Sequence, residues 1–245
     1  NRLNKDRVIA EDNAFTANVG ASLTFIDLLN VSAGARYEAD YIRSTKTSYQ
    51  LMDLYFEAAF DSLQNPFTSL KGIKVEATAD YMFDLKGNAA SASSLPLFAA
   101  HAMVCHHIEL WKHKMALGYQ AAAMVNRLPY QLNAGFAEYG GVYGMSGVPY
   151  GAMKRDFAFA GLSLQYVITE IADMSLVDKL QGKVGLKDGC NAFDADNVPG
   201  SAFFDKASMD IGVGGYIGLK TPLGSLVMGG SYNLAGQWCI SVGFN

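Results

Sequence analysis

The feature that most constrains this chain is a two-residue alternation of apolar residues with small or polar ones over long stretches. It is clearest in MDIGVGGYIGLKTPLGS, residues 209–225. One face of a strand built from this segment holds Ile211, Val213, Ile217 and Leu219. The other face holds Gly212, Gly214, Tyr216, Gly218 and Lys220. Glycine weakens an ordinary strand because it gives the core nothing to pack against, so the bare face requires an unusual environment.

The alternation recurs along the chain in about eleven segments, most of about 9–13 residues, separated by stretches rich in Gly, Asn, Asp and Ser. Segments 31–41, 52–60 and 75–83 are typical. Strands in soluble proteins usually have about 5–6 residues, whereas a tilted strand needs about 9–11 residues to cross a bilayer. The segments therefore have the length of membrane-spanning strands.

Alternation alone does not distinguish a soluble barrel, whose apolar face points inward, from a membrane barrel, whose apolar face meets lipid. Here the polar faces combine charge with Gly, Ser and Ala. The apolar faces end in Tyr, Phe and Trp, as in the aromatic girdles of membrane barrels. We therefore predict an all-β fold, a transmembrane antiparallel β-barrel with about 12 strands visible. A soluble sandwich or lipid-binding barrel is the alternative.

Charged residues on the polar faces are predicted to face the lumen of this barrel. They are Arg36, Glu38, Asp53, Glu57, Glu76, Asp80 and Lys220. In a wet lumen these side chains either form cross-strand ion pairs that set the electrostatics of a channel or only keep the interior hydrated.

Charge and composition disfavour several other classes of protein. The net charge of −4 and the pI near 5.5 argue against a nucleic-acid partner, which selects a basic face. Three distant cysteines imply neither a disulfide framework nor a zinc site. No run approaches the ~20 apolar residues of a membrane-spanning helix. No signal peptide is visible and residue 1 is not Met, so we expect a processed chain or a fragment.

Several motifs resemble those of a known family. QWCISVGFN (237–245) resembles the closing strand of outer-membrane barrels, which ends on Phe or Trp. Three stretches resemble the barrel of the bacterial surface antigen superfamily: FDSLQNPFTSLKGIKVEATADY (60–81), FAFAGLSLQYVI (157–168) and GVGGYIGLKTPLGSLVMGGSYN (212–233). Within that superfamily the chain looks most like the C-terminal barrel of patatin-like phospholipases.

The resemblance implies a location in the outer membrane of a Gram-negative bacterium. The implied partners are membrane lipids and lipopolysaccharide, together with other outer-membrane proteins or lipoproteins. No cofactor is implied.

Two departures from the superfamily bear on function. Members that insert or translocate proteins carry an Arg-Gly-aromatic motif. The nearest match here has Phe159 and Gly161 with Ala160 at the position of the Arg, which disfavours active protein insertion. The resemblance also implies a barrel of about 16 strands. We expect residues 1–245 to form a single barrel domain that is N-terminally truncated, in preference to one with a further strand hidden at 131–139 or 202–208.

Three other stretches contain residues that are typical of chemical sites. GMSGV (144–148) is the nearest string to the Gly-x-Ser-x-Gly elbow of a lipase but lacks its last Gly, so we expect no catalytic site in this chain. His101, Cys105 and His107 share one strand face, where a metal site or plain lumen-facing histidines are the alternatives. The Gly- and Tyr-rich loop 136–156 either plugs the lumen or lies outside the barrel.

The function that follows is physical rather than catalytic. Closing a sheet satisfies its backbone hydrogen bonds, which allows strands to exist in lipid. We expect the barrel to anchor, display or help translocate an attached soluble domain, and the resemblance implies a patatin-like domain upstream. A passive porin and an accessory subunit of a larger outer-membrane complex are the alternatives.

Overall fold

The structure is a computed structural model that describes most of the chain. The described residues are 13–25, 27–42, 47–63, 65, 67–85, 97–112, 114–126, 137–138, 144–148, 153–154, 157–171, 174–187 and 208–244. They form β-strands joined by turns. In this part of the chain no helix has the length and apolarity needed to cross a membrane.

Most of the strands are as long as the alternation predicts or longer. The strands are β1 (Asn13–Phe25), β2 (Leu29–Ile42), β3 (Thr47–Asp61), β4 (Gly72–Asp84), β5 (Leu97–Trp111), β6 (Met115–Asn126), β7 (Ala137–Glu138), β8 (Met153–Lys154), β9 (Phe157–Ile171), β10 (Met174–Lys187), β11 (Ser208–Thr221), β12 (Gly224–Asn233) and β13 (Trp238–Phe244). By contrast with the others, β13 has seven residues and β7 and β8 have two each. The longest, such as β3 and β5, have 15 residues. Strands of this length cross a bilayer even when tilted.

Eleven strands form one sheet in the order β1-β2-β3-β4-β5-β6-β9-β10-β11-β12-β13. Every neighbouring pair in this sheet is antiparallel. The short strands β7 and β8 pair with each other in the connection between β6 and β9. The predicted all-β antiparallel fold is confirmed. Of the stretches named for a hidden strand, 131–136, 139 and 202–207 lie outside the described residues.

The apolar face of the sheet points away from the interior. Val75, Tyr81, Ile217 and Val242 expose 37, 44, 49 and 70% of their surface. Asp53, on the opposite face, is buried. So much exposed apolar surface is strongly unfavourable in water but is matched by hydrocarbon in a bilayer. A soluble barrel, which requires these apolar residues inside, is therefore excluded, and the outward orientation predicted for a membrane barrel is confirmed.

The two ends of the sheet carry different connections. One end, which we name the short-turn end, carries connections 26–28, 62–71, 112–114, 172–173 and 222–223. The other, the long-loop end, carries connections 43–46, 85–96, 127–156, 188–207 and 234–237. Apart from 62–71, every connection at the first end is shorter than every connection at the second, an asymmetry that is typical of outer-membrane barrels.

The sheet curls until distant strands face each other. The hydroxyl oxygens of Thr68, between β3 and β4, and Ser225, near the start of β12, are 3.5 Å apart. Four strands, β5, β6, β9 and β10, separate β4 from β11 in the sheet. The contact therefore crosses the interior instead of following the sheet, so the strands from β4 to β11 curve around a lumen.

Candidate functional site

The inward surface of β11 and β12 has room for other parts of the chain. Its residues are mostly small: Gly212, Gly214, Tyr216, Gly218, Ser225, Val227, Gly229, Ser231 and Asn233. We name this surface the inner wall. Its small residues adjoin one another across the two strands, as Gly214 does with Ser231. A surface without side chains lets a backbone approach closely.

One segment on the inner wall is 144–148, which we name the central segment. All five of its residues are buried. The N–H of Gly147 donates a hydrogen bond to Ser231 Oγ at 2.8 Å. Gly147 has a φ of +82°, and the backbone of Asn233 lies beside it. A side chain at Gly212 would collide with the carbonyl oxygen of residue 146. Glycine is thus required on both sides of this contact.

The position of the central segment bears on the loop 136–156 and on the string GMSGV. The loop 136–156 folds inward at residues 144–148, so the plug alternative is confirmed for this part of the loop. Ser146 is buried, and its hydroxyl has no hydrogen-bond partner within the described residues. A lipase elbow instead exposes its serine on a strand-to-helix turn. The geometry around Ser146 is therefore not that of a nucleophile.

A second segment reaches the inner wall from the short-turn end. It consists of the described residues of connection 62–71, and we name it the turn segment. The ring centroids of Phe67 and Tyr216 are 5.0 Å apart, with the rings tilted by 52°. Both residues form a buried cluster with Val227. The neighbouring hydroxyl of Thr68 reaches β12, so the turn segment is attached by an aromatic ring and a polar contact.

Asn65 gives the turn segment its shape. The Oδ1 atom of Asn65 accepts hydrogen bonds from the N–H groups of Phe67 at 2.8 Å and Thr68 at 3.3 Å. Its own N–H donates to Ser69 Oγ at 3.2 Å, and its carbonyl accepts from the Ser69 N–H at 2.9 Å. Asn side chains commonly order turns in this way, in place of a regular backbone ladder.

The predicted histidine–cysteine face of β5 meets the turn segment. The Nδ1 atom of His107 lies 2.7 Å from the carbonyl oxygen of Ser69, so Nδ1 carries the hydrogen and donates it. The other ring nitrogen lies 3.9 Å from the Cys105 Sγ. His101 instead packs against Phe157, with centroids 6.2 Å apart. Among the described residues no group of three His, Cys, Asp or Glu side chains is arranged to hold a metal ion.

The predicted lumen-facing charges lie at inward positions, and several are brought together. Arg36 Nη1 is 3.7 Å from Asp53 Oδ2, and the guanidinium lies 5.4 Å from the centroid of the Tyr55 ring. Arg36 and Asp53 are direct partners across β2 and β3. Lys74 Nζ is 2.7 Å from Glu76 Oε1. The inward faces of β2–β4 therefore carry ion pairs.

The remaining charges of the set are more dispersed. Glu57 accepts a hydrogen bond from Ser32 Oγ at 3.2 Å. Glu38 and Asp80 occupy inward register positions on β2 and β4. Lys220 lines a cavity of about 860 Å³ at the short-turn end. The role of these residues in any channel stays a prediction.

The predicted strand motif lies in β9. Phe159 is buried and stacks with Phe157 at 6.0 Å between centroids. Ala160, where the superfamily pattern has Arg, faces outward and is exposed, and Gly161 faces inward. The inward-folded part of the preceding connection is the central segment, not this motif.

Comparison with solved structures identifies the architecture. A crystal structure of BamA from Haemophilus ducreyi, lacking POTRA domains 1–3, matches 95% of this chain with a TM-score of 0.62 and 13% sequence identity. The chain has the fold of the BamA barrel. It spans about half, 53%, of the BamA chain it matches. Neither a family model nor a curated protein matches the sequence. At this identity the match shows the fold alone.

Within the BamA-type fold, sequence reasoning missed the turn segment as a lumen element. The resemblance of residues 60–81 to the superfamily barrel does not indicate an inward fold. Two signals point to the inward fold in retrospect. Asn65 precedes Phe67 by two residues in the connection between two strands. The inward positions Gly212 and Gly218 of the facing strand lack side chains. A bare strand face indicates that another backbone approaches it.

Proposed function

We propose that this chain is the membrane part of a Gram-negative outer-membrane protein, a barrel that anchors, displays or helps translocate an attached soluble domain. The outward apolar face carries the proposal, because a sheet with this surface requires hydrocarbon around it. The BamA-type fold adds to it. Membrane lipids and lipopolysaccharide are the immediate partners, and other outer-membrane proteins or lipoproteins are further candidates.

The two unequal ends support an orientation in the membrane. Outer-membrane barrels have short periplasmic turns and longer extracellular loops. The short-turn end therefore faces the periplasm and the long-loop end faces the cell exterior. In this orientation the central segment enters the lumen from outside and the turn segment enters it from the periplasm.

The filled inner wall argues against the passive porin. A porin needs a continuous water-filled lumen. Here the central segment contacts the wall at Gly212 and Ser231, and the turn segment contacts it at Tyr216 and Ser225. Segments from both ends thus narrow the same lumen. A barrel with an obstructed lumen suits anchoring and display better than steady conduction.

The sheet edges support the expectation that the barrel is completed by further strands of a longer polypeptide. Ten antiparallel pairings separate β1 from β13, so these two strands run in the same direction. They cannot close the ring as an antiparallel pair. The edge strands of a second copy in the same membrane orientation run in the same direction too, so they cannot form that pair either. Lipid offers an open edge no hydrogen-bond partner. We infer that an odd number of strands lies between β13 and β1, supplied upstream in the same protein.

The identity of the attached domain rests on the resemblance alone. A patatin-like phospholipase is the implied domain, and its hydrolytic site belongs to that domain because Ser146 is buried on the inner wall. The upstream reading frame tests this point. A Gly-x-Ser-x-Gly elbow there supports the patatin-like identity. A different upstream domain removes that identity and leaves the barrel proposal intact.

Cell fractionation and bilayer recording test the main proposal. We expect the full-length protein in the outer-membrane fraction, released only by detergent, with faster gel migration before boiling than after. Recovery in the buffer-soluble fraction contradicts a membrane barrel. Steady, large currents from the pure protein in planar bilayers favour the porin. Function that depends on a stably copurifying complex, with no attached domain in the gene, favours the accessory subunit.

A further inference from the structure

We propose that the turn segment is a releasable gate at the short-turn end of the lumen, held closed by Phe67 on the inner wall. The proposal goes beyond the proposed function and depends on it only for the membrane location of the barrel. Three observations carry it: how the turn segment is built, how it is attached, and what lies beside it.

The turn segment is built as a unit on a fixed base. Ser62 N–H donates to the Ile73 carbonyl at 2.9 Å, and Ile73 N–H donates to Ser62 Oγ at 3.0 Å. The Leu63 N–H donates to Asp61 Oδ1 at 2.9 Å. With the hydrogen bonds of Asn65, these bonds all lie within residues 61–73 and do not involve the inner wall. The segment therefore keeps them when it leaves the wall.

The turn segment is attached to the inner wall in a different way from the central segment. Gly147 donates its backbone N–H to the wall and lies directly against the backbone of Asn233. The contacts of the turn segment with the wall include the ring of Phe67 and the side chain of Thr68, which lies close to Gly218, and its Ser69 carbonyl accepts from His107 on the neighbouring strand β5. Side-chain contacts at the tip of a preformed loop can be lost together without rebuilding any strand. The turn segment is thus the movable one of the two.

The turn segment also borders an open cavity of mixed polar and apolar lining at the same end. This cavity, about 860 Å³ in volume, is lined by Thr68 and Leu70 of the segment and by Glu109, Glu170 and Lys220 of the surrounding strands. Charged side chains keep such a space hydrated. Movement of Phe67 away from the wall joins this space to the rest of the lumen. Release of the contacts that hold the turn segment therefore opens a path at the short-turn end.

A disulfide across the contact tests the gate. In full-length protein with Cys105, Cys190 and Cys239 replaced by Ala, Thr68→Cys/Ser225→Cys places two thiols where hydroxyl oxygens are 3.5 Å apart. In planar bilayers we expect brief openings in the reduced protein and at least a tenfold lower opening frequency after oxidation, with recovery in reductant. Phe67→Ala is expected to raise the opening frequency at least tenfold. Phe83→Ala, at a ring exposed on the outer face of β4, is the matched control and should leave it unchanged.

Several outcomes overturn the gate. Equal opening frequencies in the oxidised and reduced protein overturn it. An unchanged opening frequency in Phe67→Ala also overturns it, as does the absence of channel openings in every form of the protein. Failure of the two cysteines to cross-link overturns the contact itself. If Phe67→Ala loses its heat-modifiable migration, Phe67→Leu replaces it and is expected to show a smaller rise; no rise overturns the gate. Failure of the proposed function appears separately, as protein outside the membrane fraction.

Discussion

The ring of Phe67, in the connection after β3, lies 5.0 Å from the ring of Tyr216 on β11, across the lumen from it. This contact explains the strand that alternates between apolar residues and glycine. The outer face of β11 meets hydrocarbon, while its inner face receives chain segments that enter from both ends. Glycine at 212 and 218 leaves the room that those segments occupy. The two faces of β11 thus lie in different environments, lipid on one side and the lumen on the other.

Gly147→Ala is expected to destabilise the barrel more than Gly236→Ala. The φ angles are +82° and +79°, so either substitution carries the same left-handed backbone cost, about 1–2 kcal/mol. At Gly147 a new Cβ would lie 2.6 Å from the Asn233 backbone nitrogen, whereas at Gly236 nothing lies within 4 Å. Urea unfolding followed by gel migration measures the difference. Equal midpoints would show that the central segment does not lie against β12.

Val213→Arg is expected to be far more costly than Leu223→Arg. Val213 is exposed on the outer face within β11, whereas Leu223 lies in the turn 222–223 at the edge of the apolar band. A lipid-facing Arg costs about 2–4 kcal/mol near the bilayer midplane and about 0–1 near an interface. Unfolding free energies of both variants in the same lipid vesicles provide the comparison. Similar costs at the two depths would contradict a hydrocarbon environment for β11.

Arg36→Gln is expected to destabilise the protein more than Arg36→Gln/Asp53→Asn. The Asp53 side chain is 2% exposed and lies 3.7 Å from the Arg36 guanidinium. Removal of Arg36 alone leaves a buried carboxylate without its counter-ion. The expected penalty is about 1–3 kcal/mol, because Arg36 itself is partly in water. A double-mutant cycle measures it. A coupling energy of zero would mean that the two side chains act independently.

Cysteines at Ser22 and Ser241 are expected not to form a disulfide. Both residues point inward, on the edge strands β1 and β13. If further strands intervene, their Cα atoms lie well beyond the roughly 4.4–6.8 Å that a disulfide spans. Ser22→Cys/Ser32→Cys, at direct partners on β1 and β2, is the control and should cross-link readily. Efficient bridging of Ser22→Cys/Ser241→Cys in membranes would show that β1 and β13 close the barrel directly.

The strands and their faces were predictable from sequence because both are local properties. Alternation places Val213 and Ile217 on one face of β11 whatever the rest of the chain does. The lengths of the segments then distinguish strands that cross a bilayer from the shorter strands of soluble proteins. Both conclusions need only neighbours along the chain. For the same reason the charged residues on the inward faces were found, while their partners were not.

The contacts within the lumen depended on the tertiary structure. Arg36 meets Asp53 because of the register between β2 and β3, which alternation restricts by parity but does not fix. Phe67 meets Tyr216 because the whole sheet curls, a property that no single segment encodes. A string such as GMSGV is equally compatible with an exposed loop and a buried plug.

By itself, then, the sequence determined which side chains face lipid, since a two-residue period follows from backbone geometry alone. Only the tertiary structure decided which connections fill the lumen, since that choice depends on the curvature of eleven paired strands and the space their inward glycines leave.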